Sequence, residues 1–176
     1  MKTKKEEPKV IVSAILVRGE GPRMKIFLQT RWKPKKSPRY SGMIEIPAGN
    51  IEPYENVYDA LRREVKEECG LGIKGIIDDF HSPIRKPRRG DKAFAFRPFI
   101  CQQVLQTNDG LPWIGFVFLC QAKPGKAKSD SREARDPRWV SIVELQKLVQ
   151  HHADLIFPLQ LPALEYFLKS YRRSGH

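Results

Sequence analysis

The stretch from Tyr54 to Cys69 constrains this chain more than any other. It holds no proline or glycine, carries Ala60, Leu61 and several Arg, Lys and Glu, and runs up to Gly70. That composition predicts a helix with glycine just past its C-terminus. At about 100° per residue, Val57, Ala60, Leu61 and Val65 fall on one side as an apolar stripe. Glu64 and Glu68 share the bearing of that stripe, and Glu67 sits on its edge. Carboxylates packed within one turn repel each other, and near a helix C-terminus the macrodipole disfavours them further. A solvated charged face would turn them outward, yet Glu64 and Glu68 point where the helix should meet the rest of the protein. A hard divalent cation between them, Mg2+ or Mn2+, would offset the cost, because such ions prefer all-oxygen ligands.

The flanking chain supplies strands and basic loops. Val10–Val17 is a near-continuous apolar run of strand length, which predicts a buried strand. A turn at Gly19–Pro22 leads to a second strand, Lys25–Thr30, antiparallel to the first, and Met43–Ile46 reads as a short third. Between them Arg31–Gly42 is a proline-containing basic loop in which Arg31, Lys35, Lys36 or Arg39 can meet phosphate. Beyond Gly70, Ile73–Phe80 reads as a strand and His81–Lys92 as a second basic loop, with Arg85, Lys86, Arg88 and Arg89 grouped. Ala93–Leu105 and Leu111–Ala122 read as strands joined across an Asp109-Gly110 turn signal. Phe94, Phe96 and Phe118 are expected in the core. Lys123–Pro137 is a polar loop, and Arg138–Ile142 a last short strand. Ser141 with Glu144 forms a capping box for a helix to about Gln150, and a final helix covers Leu159–Tyr171. Strands, a central helix, more strands and C-terminal helices predict an α/β fold, a mixed sheet with helices on both faces.

At 176 residues the chain has the length of one domain. Residues 1–9 are expected to be a flexible tail and residues 10–176 a single domain. The net charge of +12 favours anionic ligands, phosphorylated metabolites or nucleic acid. Cys69, Cys101 and Cys120 form no C-x-x-C pair, so buried or partly buried thiols in a reducing compartment are expected rather than disulfides or a zinc site. The charged N-terminus does not read as a signal peptide, and no apolar run is long enough to span a bilayer. A soluble cytoplasmic protein is the expectation.

Gly49 to Leu71, GNIEPYENVYDALRREVKEECGL, resembles the Nudix hydrolase signature G-x5-E-x7-R-E-U-x-E-E-x-G-U, where U is aliphatic. Gly49 opens it, Glu55 follows at the required spacing, and Arg63 to Leu71 completes it without a departure. The entry Glu45-Ile46-Pro47-Ala48-Gly49 is similar to that of the ADP-ribose and nucleotide-sugar pyrophosphatase branch, although Ile44 replaces the usual aromatic. That branch also has a proline about sixteen residues past the box, where Pro87 stands.

The resemblance implies the Nudix α/β/α sandwich, with the box as loop-helix-loop, and metal-dependent hydrolysis of a pyrophosphate bond. It implies Glu64, Glu67, Glu68 and the carbonyl of Ala48 as metal ligands, with Mg2+ or Mn2+ as cofactor. Glu64 and Glu68 would then be catalytic, with Glu64 also orienting or deprotonating the water. Arg63 would orient a box glutamate, Glu55, while Gly49 and Gly70 serve backbone conformation. Many family members carry a further glutamate in a loop before the last strand, here Glu133 or Asp136, of which Glu133 has the longer reach. Arg31, Arg39, Arg85, Arg88 and Arg89 are the candidates for substrate contact. The expected substrate is a nucleoside diphosphate linked to another moiety, ADP-ribose or a nucleotide sugar. Two alternatives stand beside it: a Nudix hydrolase of nucleoside triphosphates or RNA 5′ ends, and an inactive Nudix-fold binding module. A homodimer is compatible with the sequence.

Overall fold

The computed structural model describes residues 7–108, 110–128 and 132–173. The first strand, β1 (Lys9–Arg18), explains the unbroken apolar run, because both of its faces are covered. Val12, Ala14 and Leu16 face one helical layer, and Ile15 and Val17 face the other. Parallel pairing of β1 with β9 (Trp113–Ala122), from Lys9↔Trp113 to Val17↔Gln121, forms the spine of the sheet. A strand with both faces buried reads as continuous rather than alternating hydrophobicity.

Around that spine the sheet is antiparallel and therefore mixed, in the order β10-β2-β1-β9-β5. Here β2 is Lys25–Arg31, β5 is Ile73–Ile76 and β10 is Ala134–Ser141. Two short strands attach near the box: β3 (Ile44–Glu45) pairs with β2, and β4 (Ala48–Asn50) with β1. β8 (Ile100–Val104) pairs with β9. A separate ribbon of β6 (Phe80–His81) and β7 (Phe96–Arg97) carries the second basic loop.

Helix α1 (Val57–Cys69) buries Val57, Ala60, Leu61 and Val65 on one face of the sheet. Each such fully buried aliphatic side chain contributes about 1.5–3 kcal/mol relative to exposure. Helices α2 (Ile142–His151) and α3 (Leu161–Arg173) cover the opposite face through Leu145, Ala163, Leu164, Phe167 and Leu168. The result is the expected α/β/α arrangement. Among the described residues no helix is long and apolar enough to cross a membrane.

Several boundaries differ from expectation for local reasons. The helix starts at Val57 rather than Tyr54, because Tyr54 has φ 65° and the Asn56 side chain caps Tyr58 N–H at 2.8 Å. The expected strands Ile73–Phe80 and Ala93–Leu105 are each broken, the first where Asp78 takes φ 53° and the second at Pro98. β10 begins at Ala134 rather than Arg138: it is an edge strand, and its register shift between Arg135 and Arg138 accommodates Pro137 as a bulge. Residues 1–6 of the expected tail lie outside the described ones, and Lys9 already pairs with Trp113. Asp109 of the turn signal also lies outside them. The Ser141–Glu144 capping box is present in both directions. Cys69 and Cys120 are buried, but Cys101 is exposed, a correction to the expectation that all three thiols are at least partly covered. Phe118 is fully buried, with Phe94 and Phe96 packed against the same cluster.

Candidate active site

The chain enters the box through a buried lock. The Gln160 side chain accepts from Ile46 N–H at 2.9 Å and donates to its carbonyl at 3.0 Å, as a strand partner would. That pairing seats Ile46-Pro47 so that β4 lies along β1, with Gly49 opposite Val12. A Cβ on Gly49 would collide with the Glu64 carboxyl, so that carboxyl rests directly against this backbone. Any larger residue there would push the Glu64 carboxyl aside.

Arg63 ties the box together. Its Nε and Nη2 donate to the two carboxylate oxygens of Glu55 at 2.8 Å each, and Nη2 also donates to the Asn50 carbonyl at 3.0 Å. Nη1 reaches Glu64 at 2.7 Å and Glu67 at 3.4 Å. The fork-like guanidinium suits this multidentate role. Hydrogen bonds from Arg63, helped by the Glu52 N–H, hold the Glu55 carboxyl down at about 2. Burial raises the pKa of Glu64, against the opposing pull of Arg63.

Glu68 lies deeper and is only 5% exposed. One of its oxygens accepts from Gln29 Nε2 at 2.9 Å and from Ala48 N–H at 3.0 Å. Beneath it lies a second buried carboxyl, Glu45, paired with Arg31 at 3.0 Å. Desolvation raises both pKa values, and the charge of Glu45 raises that of Glu68 further; Arg31 opposes the shift at Glu45 and Lys33 at Glu68. Gln29 Oε1 is buried without a hydrogen-bond partner. Sequence reasoning missed Gln29, Glu45 and Gln160. A polar residue inside an apolar strand such as KIFLQTR, or between isoleucines in IEIP, was the signal for the first two.

Glu133 closes the site from the segment before β10. It pairs with Lys33 at 2.9 Å and Lys36 at 3.3 Å, and hydrogen bonding from Lys33 lowers its pKa. Two cavities meet here and share Lys33, Lys36, Glu64, Glu67 and Glu133. The larger, about 760 Å³, is also lined by Glu68, Trp32 and Lys35. The other, about 420 Å³, runs past Ala48 and Gly49 to Arg31, Tyr40, Trp113 and Phe157. Tyr40 packs edge-on against Phe157, and the Arg31 guanidinium lies 4.8 Å from the Phe157 ring centroid.

The structure thus brings Ala48, Glu64, Glu67, Glu68, Glu133 and Arg31 together. Asp136 does not reach the site; it is exposed in the β10 bulge at φ 49°. Arg39 lines neither cavity, nor do Arg85, Arg88 and Arg89, which are exposed between β6 and β7. The donor set suits a hard divalent cation: carboxylate oxygens, partly desolvated, in a cleft kept open by Gly49. Among the described residues no three His, Cys, Asp or Glu side chains are gathered closely enough to enclose an ion. Arg63 and Lys33 hold the carboxylates instead.

Comparison with known proteins bears on the family and the fold. A family model described as the NUDIX domain matches residues 7–159. The ADP-ribose pyrophosphatase of Methanocaldococcus jannaschii is 38% identical over 56 residues, covering 31% of this chain and 33% of that protein. The 8-oxo-dGDP phosphatase NUDT18 of Mus musculus is 28% identical over 124 residues, covering 67% of this chain and 29% of that protein. The match thus spans about a third of the length of these curated relatives. Among solved structures, the NUDIX domain of Shewanella oneidensis NrtR, complexed with ADP-ribose, aligns with a TM-score of 0.61 at 10% identity. That alignment covers 97% of this chain and 90% of the other, and at such identity it is a likeness of fold.

Proposed function

This chain belongs to the Nudix family, and we propose that it hydrolyses the pyrophosphate bond of a nucleoside diphosphate carrying a second moiety, ADP-ribose or a nucleotide sugar. The observation that carries this is the meeting of Glu64, Glu67, Glu68 and Glu133 in one cleft with Lys35 and Lys36. Carboxylates for a metal and ammonium groups for phosphate are what a diphosphate needs. The names of both curated relatives concern a nucleoside diphosphate, ADP-ribose in one and 8-oxo-dGDP in the other.

In this proposal Glu64, Glu67, Glu68 and the Ala48 carbonyl hold Mg2+ or Mn2+. When bound, the ion neutralises the diphosphate and lowers the pKa of a water. Glu64 orients the attacking water and takes its proton at a carboxylate oxygen, and Arg63 Nη1 keeps that carboxylate charged and aimed. Glu133 faces the same cleft from the opposite wall and is the second candidate for this role. Lys35 and Lys36 meet the phosphate oxygens. The aromatic end of the smaller cavity, around Tyr40, Trp113 and Phe157, takes the nucleoside.

A panel of ADP-ribose, nucleotide sugars, nucleoside triphosphates and capped RNA, assayed with Mg2+ for released products, tests this. Turnover should be fastest on a diphosphate-linked compound. Preferential turnover of triphosphates or RNA 5′ ends would overturn the substrate class.

A further inference from the structure

Lys33 occupies a position that the proposed reaction does not by itself require. Its ammonium lies 2.9 Å from Glu133 Oε2 and 3.8 Å from Glu68 Oε1, and its side chain is only 17% exposed. Lys36, the other cation on Glu133, is 79% exposed and correspondingly weak as a partner. The loop fixes where Lys33 points. Its N–H donates to Ser41 Oγ at 3.2 Å, and its carbonyl accepts from Ser37 N–H at 2.8 Å. Trp32 N–H donates to the Glu133 carbonyl at 2.8 Å, so loop and glutamate are held together. The Arg135 guanidinium, 3.6 Å from the Trp32 ring centroid, pins the preceding residue. A long, flexible lysine is thereby aimed between a buried carboxyl of α1 and a carboxylate on the opposite wall.

We infer that Lys33 is a resident cation that competes with the divalent ion for the carboxylate site. It offsets part of the negative charge at Glu68 and Glu133 and so sets how tightly the site takes metal. When the site is loaded, its ammonium leaves Glu68 and stays with Glu133, the nearer partner. This inference rests on the proposed metal-binding role of Glu64, Glu67 and Glu68, and the test separates the two.

Mn2+ binding to the substrate-free protein is measured by calorimetry and by the paramagnetic resonance of free Mn2+. The set comprises the unsubstituted protein, Lys33→Met, Lys33→Gln, Lys33→Arg and Glu68→Gln. Loss of the competing charge should tighten Mn2+ binding about tenfold in the Met and Gln variants, a modest effect suited to a half-open, screened cleft. Lys33→Arg, which keeps the charge, should stay close to the unsubstituted protein. The melting temperature of Lys33→Met should also rise more on addition of Mn2+ than that of the unsubstituted protein. Unchanged or weaker Mn2+ binding in both neutral variants, with Glu68→Gln clearly impaired, would overturn the inference and leave the metal site standing. Equal Mn2+ affinity in Glu68→Gln and the unsubstituted protein would overturn the metal site itself.

Discussion

Glu64 rests against the Gly49 backbone, receives Arg63 Nη1 and lines both cavities, so any change of its volume would also disturb packing. Glu64→Gln avoids that by keeping size while removing charge. It should fold with an unchanged circular dichroism spectrum yet lose roughly 10³-fold or more in turnover, about 4 kcal/mol of transition-state stabilisation. Near-normal turnover in this variant would show the role to be misassigned. At this scale the sequence was informative wherever a residue belongs to a spaced pattern, as Glu64, Glu67, Glu68, Glu55 and Arg63 do. Spacing did not supply the partners of Gln29, Glu45 or Lys33, whose roles come from burial and from contacts across the sheet. Gln29 and Glu68 meet across 39 residues of chain, and Lys33 and Glu133 across 100, and no local spacing encodes such pairs.

The box loop and α1 act as one element through the Glu55–Arg63 pair, which joins the turn before the helix to its second turn. The Glu55 carboxyl titrates at about 2 rather than at its ordinary 4.5, chiefly through hydrogen bonds from Arg63. A depressed folded-state pKa means that the unfolded chain binds the proton more readily. The pair's stabilisation is therefore complete above pH 4.5 and is lost as the pH falls from 4.5 toward 2. Urea midpoints measured from pH 5 to pH 2.5 should fall more steeply for the unsubstituted protein than for Glu55→Gln. Parallel pH curves would mean that the pair does not contribute to stability. Element types were legible from hydrophobic period and capping, as in α1, β1 and the Ser141 cap. Their ends were less so, because Asn56, Asp78, Pro98 and Pro137 set boundaries through φ angles and missing donors rather than through periodicity.

Across the whole molecule the two basic loops differ in what they line. Lys33, Lys35 and Lys36 line the carboxylate cleft, whereas Arg85, Arg88 and Arg89 sit on the β6–β7 ribbon and line neither cavity. The sequence could not separate these loops, since their composition is alike and only the sheet topology carries the ribbon away. Neutralising Arg85, Arg88 and Arg89 together should leave KM for the best substrate within about twofold, whereas neutralising Lys35 and Lys36 should raise KM more than it lowers kcat. A large KM increase from the ribbon variant alone would show that the ribbon reaches the substrate. In the proposed reaction Glu64, Glu67 and Glu68 on α1 would hold a metal, and water would cleave a P–O bond of the bridge between the two phosphates. The most direct measurement follows the products of ADP-ribose in H2(18)O with Mg2+, before and after excess EDTA. AMP and ribose 5-phosphate should appear in equal amounts, with one new oxygen-18 on a phosphate of one of them, and their formation should stop on chelation. Release of adenosine or inorganic phosphate, or undiminished turnover in EDTA, would contradict it.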